Sequence, residues 1–123
     1  MRLKSHIWVS AYLRRLDTTF IPAVVVRRGD ADAGAIYIKV SHLDGTCQIL
    51  APMSAHFAQG LAADALLLDE GRSWQAVYPK PSTEADADAY LKRQASRDPD
   101  IWILEVETPD GRHLLGESAM ALS

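Results

Sequence analysis

The chain has 123 residues, 48% apolar and 24% charged, with a formal net charge of −3. That size suits one compact domain of about 100 to 150 residues. The composition excludes a disordered chain, and the slightly acidic balance lacks the bulk basic charge that drives nucleic-acid affinity. No window approaches the roughly 18 apolar residues of a membrane span. The basic start MRLKSHIWVSAYLRRLD has neither the apolar run nor the cleavage site of a secretory leader. With one cysteine, Cys47, neither an intrachain disulfide nor a thiolate zinc cluster can form. The expected setting is the cytoplasm.

In chain order, Trp8, Val9, Tyr12, Leu13, Leu16 and then Phe20 recur at helical spacing, so residues 5 to 19 read as an amphipathic helix with Ser5 as its N-cap and Pro22 beyond its end. The β-branched run Ala23 to Val26 reads as a buried strand. Residues 35 to 42 alternate, with Ile36, Ile38 and Val40 on one face and Tyr37, Lys39 and Ser41 on the other, as in a half-buried strand. Asp44-Gly45 reads as a two-residue hairpin turn. That turn would pair His42 with Cys47, Val40 with Ile49 and Ile38 with Ala51.

Beyond Pro52, a short helical turn over residues 54 to 59 and a hairpin of residues 66 to 69 with 72 to 78 are expected. Thr83 and the acidic start Glu84, Asp86, Asp88, followed by Lys92, Arg93 and Arg97, have the charge polarity of a helix over 84 to 96. Its apolar stripe of Ala87, Tyr90, Leu91 and Ala95 is thin, which places it on the outside of a sheet. Ile101 to Val106 is apolar on both faces and reads as a central strand. Arg112 to Leu115 is expected as a brief return strand and residues 116 to 123 as a loose tail. The sum is an α+β domain in the order αβββ(α)ββαβ: a mostly antiparallel sheet of about five to six strands with two helices packed on it.

The phrases IWVSAYLRRL, VVVRRGDADAGAIYIKV, LDGT, DPDIWILEVE and GRHLL, which span most of the chain, resemble a family of short alphaproteobacterial proteins classed as a domain of unknown function. The resemblance implies a bacterial, intracellular, single-domain protein, and it carries over no catalytic or binding residues.

The charged stretch RRGDADAG offers the clearest candidate site. Arg27 and Arg28 have guanidinium forks suited to an anion, and Asp30 and Asp32 have the oxygen ligands of a hard cation. The competing reading, which the spacing favours, is a loop whose glycines supply the geometry and whose carboxylates bond neighbouring amides. A second polar corner, RQASRDPD, contributes Arg93, Arg97 and Asp98. His42 beside Cys47 would suit nucleophilic catalysis, but at an inward-facing position the cysteine reads better as a small hydrophobe. His6, His56 and His113 lack ligand spacing, and no phosphate loop or GxSxG elbow occurs. Trp8, Trp74 and Trp102 fall on apolar stripes and are expected in the core.

No catalytic residue, metal or cofactor is therefore assigned. A non-catalytic binding or adaptor module is favoured, with a protein or small molecule as partner. The alternatives are a small metal-dependent hydrolase-like enzyme using Asp30 and Asp32 with Arg28, or a weak nucleic-acid binder through Arg14-Arg15 and Arg27-Arg28. The apolar surplus of Val24, Val25 and Val26 suggests a homodimer formed through a sheet edge or face.

Overall fold

A computed structural model describes residues 3–53, 67–69, 72–77 and 82–115. The elements run α1 (Ser5–Thr18), β1 (Ala23–Arg27), β2 (Ile36–Ser41), β3 (Thr46–Met53), β4 (Leu67–Asp69), β5 (Arg72–Ala76), β6 (Ser82–Thr83), α2 (Glu84–Arg97) and β7 (Trp102–Glu107). Six strands form one sheet in the order β1-β7-β2-β3-β5-β4, and the two-residue β6 pairs with β3. Every pairing is antiparallel except β2 with β7. This is the α+β architecture expected from the sequence, with β7 an interior strand next to the β1 edge. The helical turn at 54 to 59 and the tail from 116 lie outside the described residues.

The helices cover opposite faces. α1 lays Trp8, Val9, Tyr12 and Leu16 on Ile36, Ile38, Val40, Leu50, Trp74, Trp102, Leu104 and Val106. Trp8 stacks on Tyr12 at 4.8 Å between ring centroids and leans on Trp74 at 4.9 Å. All three indoles are buried, and that of Trp74 donates to the Ile36 carbonyl at 2.8 Å. α2 packs Ala87 and Leu91 against Cys47, Ile49, Ile101 and Ile103 on the other face. Thr83 caps it, accepting from the Asp86 amide at 3.2 Å.

Five local expectations change. Phe20 leaves the apolar stripe of α1, because the helix ends at Thr18 and the chain turns at Phe20, whose side chain is exposed. Ser5 does not cap α1: it lies inside the helix, and its hydroxyl donates to the Gly34 carbonyl at 2.6 Å. The β2–β3 register is shifted by one, pairing Ser41 with Cys47, Val40 with Gln48, Lys39 with Ile49 and Ile38 with Leu50. The cause is a three-residue loop. Leu43 joins Gly45 in the left-handed region, with φ of 63° and 89°, and the Asp44 carboxylate accepts from the Thr46 amide at 2.9 Å. β1 is an exposed edge strand and not a buried one. Residues 112 to 115 make no strand; Leu114 and Leu115 seal the α1 face of the core, and the Tyr12 hydroxyl donates to the His113 carbonyl at 2.7 Å.

Trp74→Phe removes a buried hydrogen bond and leaves a void, so it should destabilise the chain by about 2 kcal/mol. Urea denaturation should show this as a lower midpoint at an unchanged slope.

Candidate functional site

The two polar segments singled out in the sequence meet at one end of the sheet. The β1–β2 loop carries RRGDADAG, and the α2–β7 corner ends RQASRDPD. The Asp30 amide donates to the Asp100 carbonyl at 2.9 Å, the Arg27 guanidinium to the Pro99 carbonyl at 2.9 Å, and the Trp102 indole to the Asp30 carbonyl at 2.8 Å. Arg28 lies over the Trp102 ring, 5.4 Å from its centroid. A Cβ at Gly29 or Gly34 would overlap the Asp100 carbonyl, so both positions need glycine for close approach.

The same loop holds the start of α1. The first amides of a helix have no partner within it; here Ser5 donates to the Asp32 carbonyl at 3.2 Å and His6 to the Ala31 carbonyl at 2.9 Å. Buried Arg72 completes the join, donating to the Leu3 carbonyl at 2.9 Å and the Ser5 hydroxyl at 3.0 Å. A small cleft of about 170 Å³ opens beside it, lined by Leu3, Lys4, Asp32, Ala33 and Arg72.

Arg27, Arg28, Asp30 and Asp98 thus share one clasp. The Asp30 carboxylate accepts from the amides of Ala33 at 2.8 Å and Asp32 at 3.3 Å, and that of Asp98 from the Asp100 amide at 3.0 Å. Asp32 turns towards Lys4 at 3.9 Å. Arg93 and Arg97 lie exposed along α2. No group of three or more His, Cys, Asp or Glu among the described residues is arranged to hold a metal ion. In the clasp, therefore, the carboxylates act on the loop's own backbone.

His42 and Cys47 do not form a pair. Cys47 faces α2, whereas the His42 ring lies beside Gly111, where an added Cβ would come within 3.3 Å of it. Burial pushes the Cys47 thiol up to about 11, which disfavours a thiolate at neutral pH.

The sequence reading missed a cluster on the α2 face. Lys39 is buried, with its ammonium 2.8 Å from Asp88, 3.2 Å from Glu105 and 3.5 Å from Glu84. Burial alone would lower its pKa, but the hydrogen bonds to Asp88 and Glu105 and their charges outweigh burial and raise it above the ordinary 10.5. Its stabilising effect is therefore complete at neutral pH and is lost only as pH rises through the folded value. The available signal was the spacing of Glu84 and Asp88, one turn apart on the helix that crosses β2.

Comparison with known proteins now places the chain. The family described as "Protein of unknown function (DUF1491)" matches residues 3–116. The chain belongs to the DUF1491 family. Solved DUF1491 structures from Caulobacter crescentus CB15 are similar to it: a crystal structure at 37% identity and TM-score 0.71, covering 95% of this chain and 96% of that one, and an NMR structure at 40% identity and TM-score 0.68, covering 94% of each. The solution structure of a protein from A. tumefaciens is similar at 29% identity and TM-score 0.73, covering 94% of each chain. No curated protein matches. Among the described residues of this DUF1491 chain, no helix is long and apolar enough to cross a membrane.

Two outcomes are expected. Gly34→Ala should destabilise the chain by about 2 kcal/mol or more, because the loop backbone must move off the Asp100 carbonyl; thermal unfolding measures this. Cys47 should react with iodoacetamide slowly in the native protein at neutral pH and rapidly in guanidinium. Native labelling should accelerate only as the solution approaches the raised thiol pKa.

Proposed function

We propose that this DUF1491 chain is a non-catalytic binding module that takes up an extended polypeptide strand along the β1 edge. The observation carrying this reading is the distribution of exposed large apolar side chains. Of the six among the described residues, Phe20, Val24, Val25 and Val26 lie in one seven-residue stretch, and Leu43 borders the same end. Phe20 and Leu43 line a groove of about 280 Å³ with Ile21, Pro22, Thr108 and Pro109. Scattered apolar residues are ordinary on a surface, but a contiguous run along the open side of an edge strand is the form of an edge that accepts another strand.

Backbone conformation supports the reading. Phe20 has φ of 61° and is 92% exposed. That conformation closes α1, with the Phe20 amide on the Asp17 carbonyl and the Ile21 amide on the Leu16 carbonyl; an aromatic ring in a place that glycine or asparagine would fill is left on the surface, which favours a role in contact. The clasp serves as the rigid frame, holding Arg27 and Arg28 at the far end of the edge. We also take the cytoplasm as the compartment, a reading supported by the single, buried cysteine.

A photoreactive phenylalanine analogue placed at Phe20 in the producing cells should give protein adducts on irradiation, whereas the same group at Arg93 should not. Absence of adducts at Phe20 contradicts the proposal. Phe20→Asn should raise stability by about 0.5 to 1 kcal/mol, since asparagine tolerates the left-handed conformation, and should reduce adduct formation from the same analogue at Val25.

A further inference from the structure

We infer that the strand received by the β1 edge is β1 of a second copy, antiparallel to the first, with the two-fold axis passing through Val24. This inference rests on the edge-binding reading above and names its partner.

The hydrogen-bond phase of β1 fixes the geometry. The Glu107 amide donates to the Pro22 carbonyl at 2.9 Å, and the register then runs Ala23 with Val106, Val24 with Glu105 and Val25 with Leu104. In an antiparallel ladder, residues that exchange hydrogen bonds with their partner alternate with residues whose N–H and C=O point away from it. Pro22 and Val24 thus face β7, and the polar backbone groups of Ala23 and Val25 face outward. The regular edge stops there, because a bulge follows between Val25 and Arg27. The bulge shortens the open edge and limits which strand can join it.

Two outward-facing residues flanking one inward-facing residue form a self-complementary edge. When a second copy is turned about Val24, each Ala23 meets the other copy's Val25, and the pair exchanges both backbone hydrogen bonds. The two Val24 side chains become a close, non-hydrogen-bonded pair. An axis through Val25 would need Arg27 as the next outward partner, and the bulge has displaced it.

The ends of the strand agree with this placement. Because Val26 is the extra residue of the bulge, the same rotation sets Arg27 opposite Pro22 of the other copy. There Glu107 is anchored by the hydrogen bond its amide donates to the Pro22 carbonyl, so opposite charges meet at both ends by symmetry. The contact is short, since the regular edge ends at Val25, which places it in the small, transient class of interface. The expected product is a reversible dimer with a sheet continuous across both copies.

The test uses the full chain. Sedimentation equilibrium over a concentration series should show a monomer–dimer equilibrium. Val24→Cys should form an intermolecular disulfide under mild oxidation, since the two Cβ atoms face each other at about 5 Å. Val26→Cys, equally exposed but out of register, should not. Val24→Lys should weaken the dimer by roughly tenfold or more through apposed like charges, at an unchanged thermal midpoint. A monomer at every concentration overturns the inference, as does a dimer in which Val24→Cys fails to cross-link or Val26→Cys cross-links equally well. If the chain is monomeric and Phe20 still gives adducts with other proteins, edge binding stands and only the identity of the partner falls. If no adducts form with any protein, including a second copy, edge binding itself fails.

Discussion

Much of the molecule hangs on the backbone carbonyl of Asp100. It accepts the Asp30 amide, and it sits where any Cβ at Gly29 or Gly34 would lie. Through that contact the loop after β1 is held to the corner before β7, and β1 and β2 flank β7 on its two sides. The carbonyls of Ala31 and Asp32 in the same loop take up the open amides of α1. A helix, three neighbouring strands and the entry to β7 are thus brought together by main-chain groups and two missing side chains. The arginines and aspartates that draw attention in the sequence mostly trim this arrangement.

The two faces are fastened by different physics. α1 buries Ser5, Trp8, Val9, Tyr12 and Leu16, whereas α2 buries only Ala87 and Leu91. A fully buried large apolar side chain contributes about 1.5 to 3 kcal/mol, so α1 is held by area and α2 needs a further tie. Lys39 supplies it by rising from β2 to the carboxylates of Glu84 and Asp88. Those carboxylates are more than half exposed, so each pair is individually weak. The buried ammonium nevertheless requires them, because left alone it would be an uncompensated charge.

The sequence made legible what short-range pattern controls. The charge polarity and Thr83 cap of α2, the period of α1, the hairpin of β4 with β5, and the burial of the indoles and of Cys47 all follow from spacing and turn chemistry. The β2–β3 register did not, because it depends on Leu43 entering a backbone region that leucine ordinarily avoids. The exposure of β1 was hidden for another reason: a β-branched run has the same pattern in the middle of a sheet and at its edge. Lys39 read as the solvent side of a half-buried strand because nothing local announces that a helix far along the chain will cover it. The candidate segments around Asp30 and Asp98 were found, but their junction is made by carbonyls and amides, which every residue carries.

The strand order also has a temporal consequence. β1 is among the first elements to leave the ribosome, while its ladder partner β7 is among the last of the described ones. Throughout that interval the AVVVR segment has every amide and three branched side chains open to other chains, and its pairing at the end closes a loop spanning most of the polypeptide. Translation speed and crowding of neighbouring nascent chains therefore bear on this segment more than on any helix. The bulge at Val26 and the arginines that follow it interrupt the run where indiscriminate stacking would otherwise propagate.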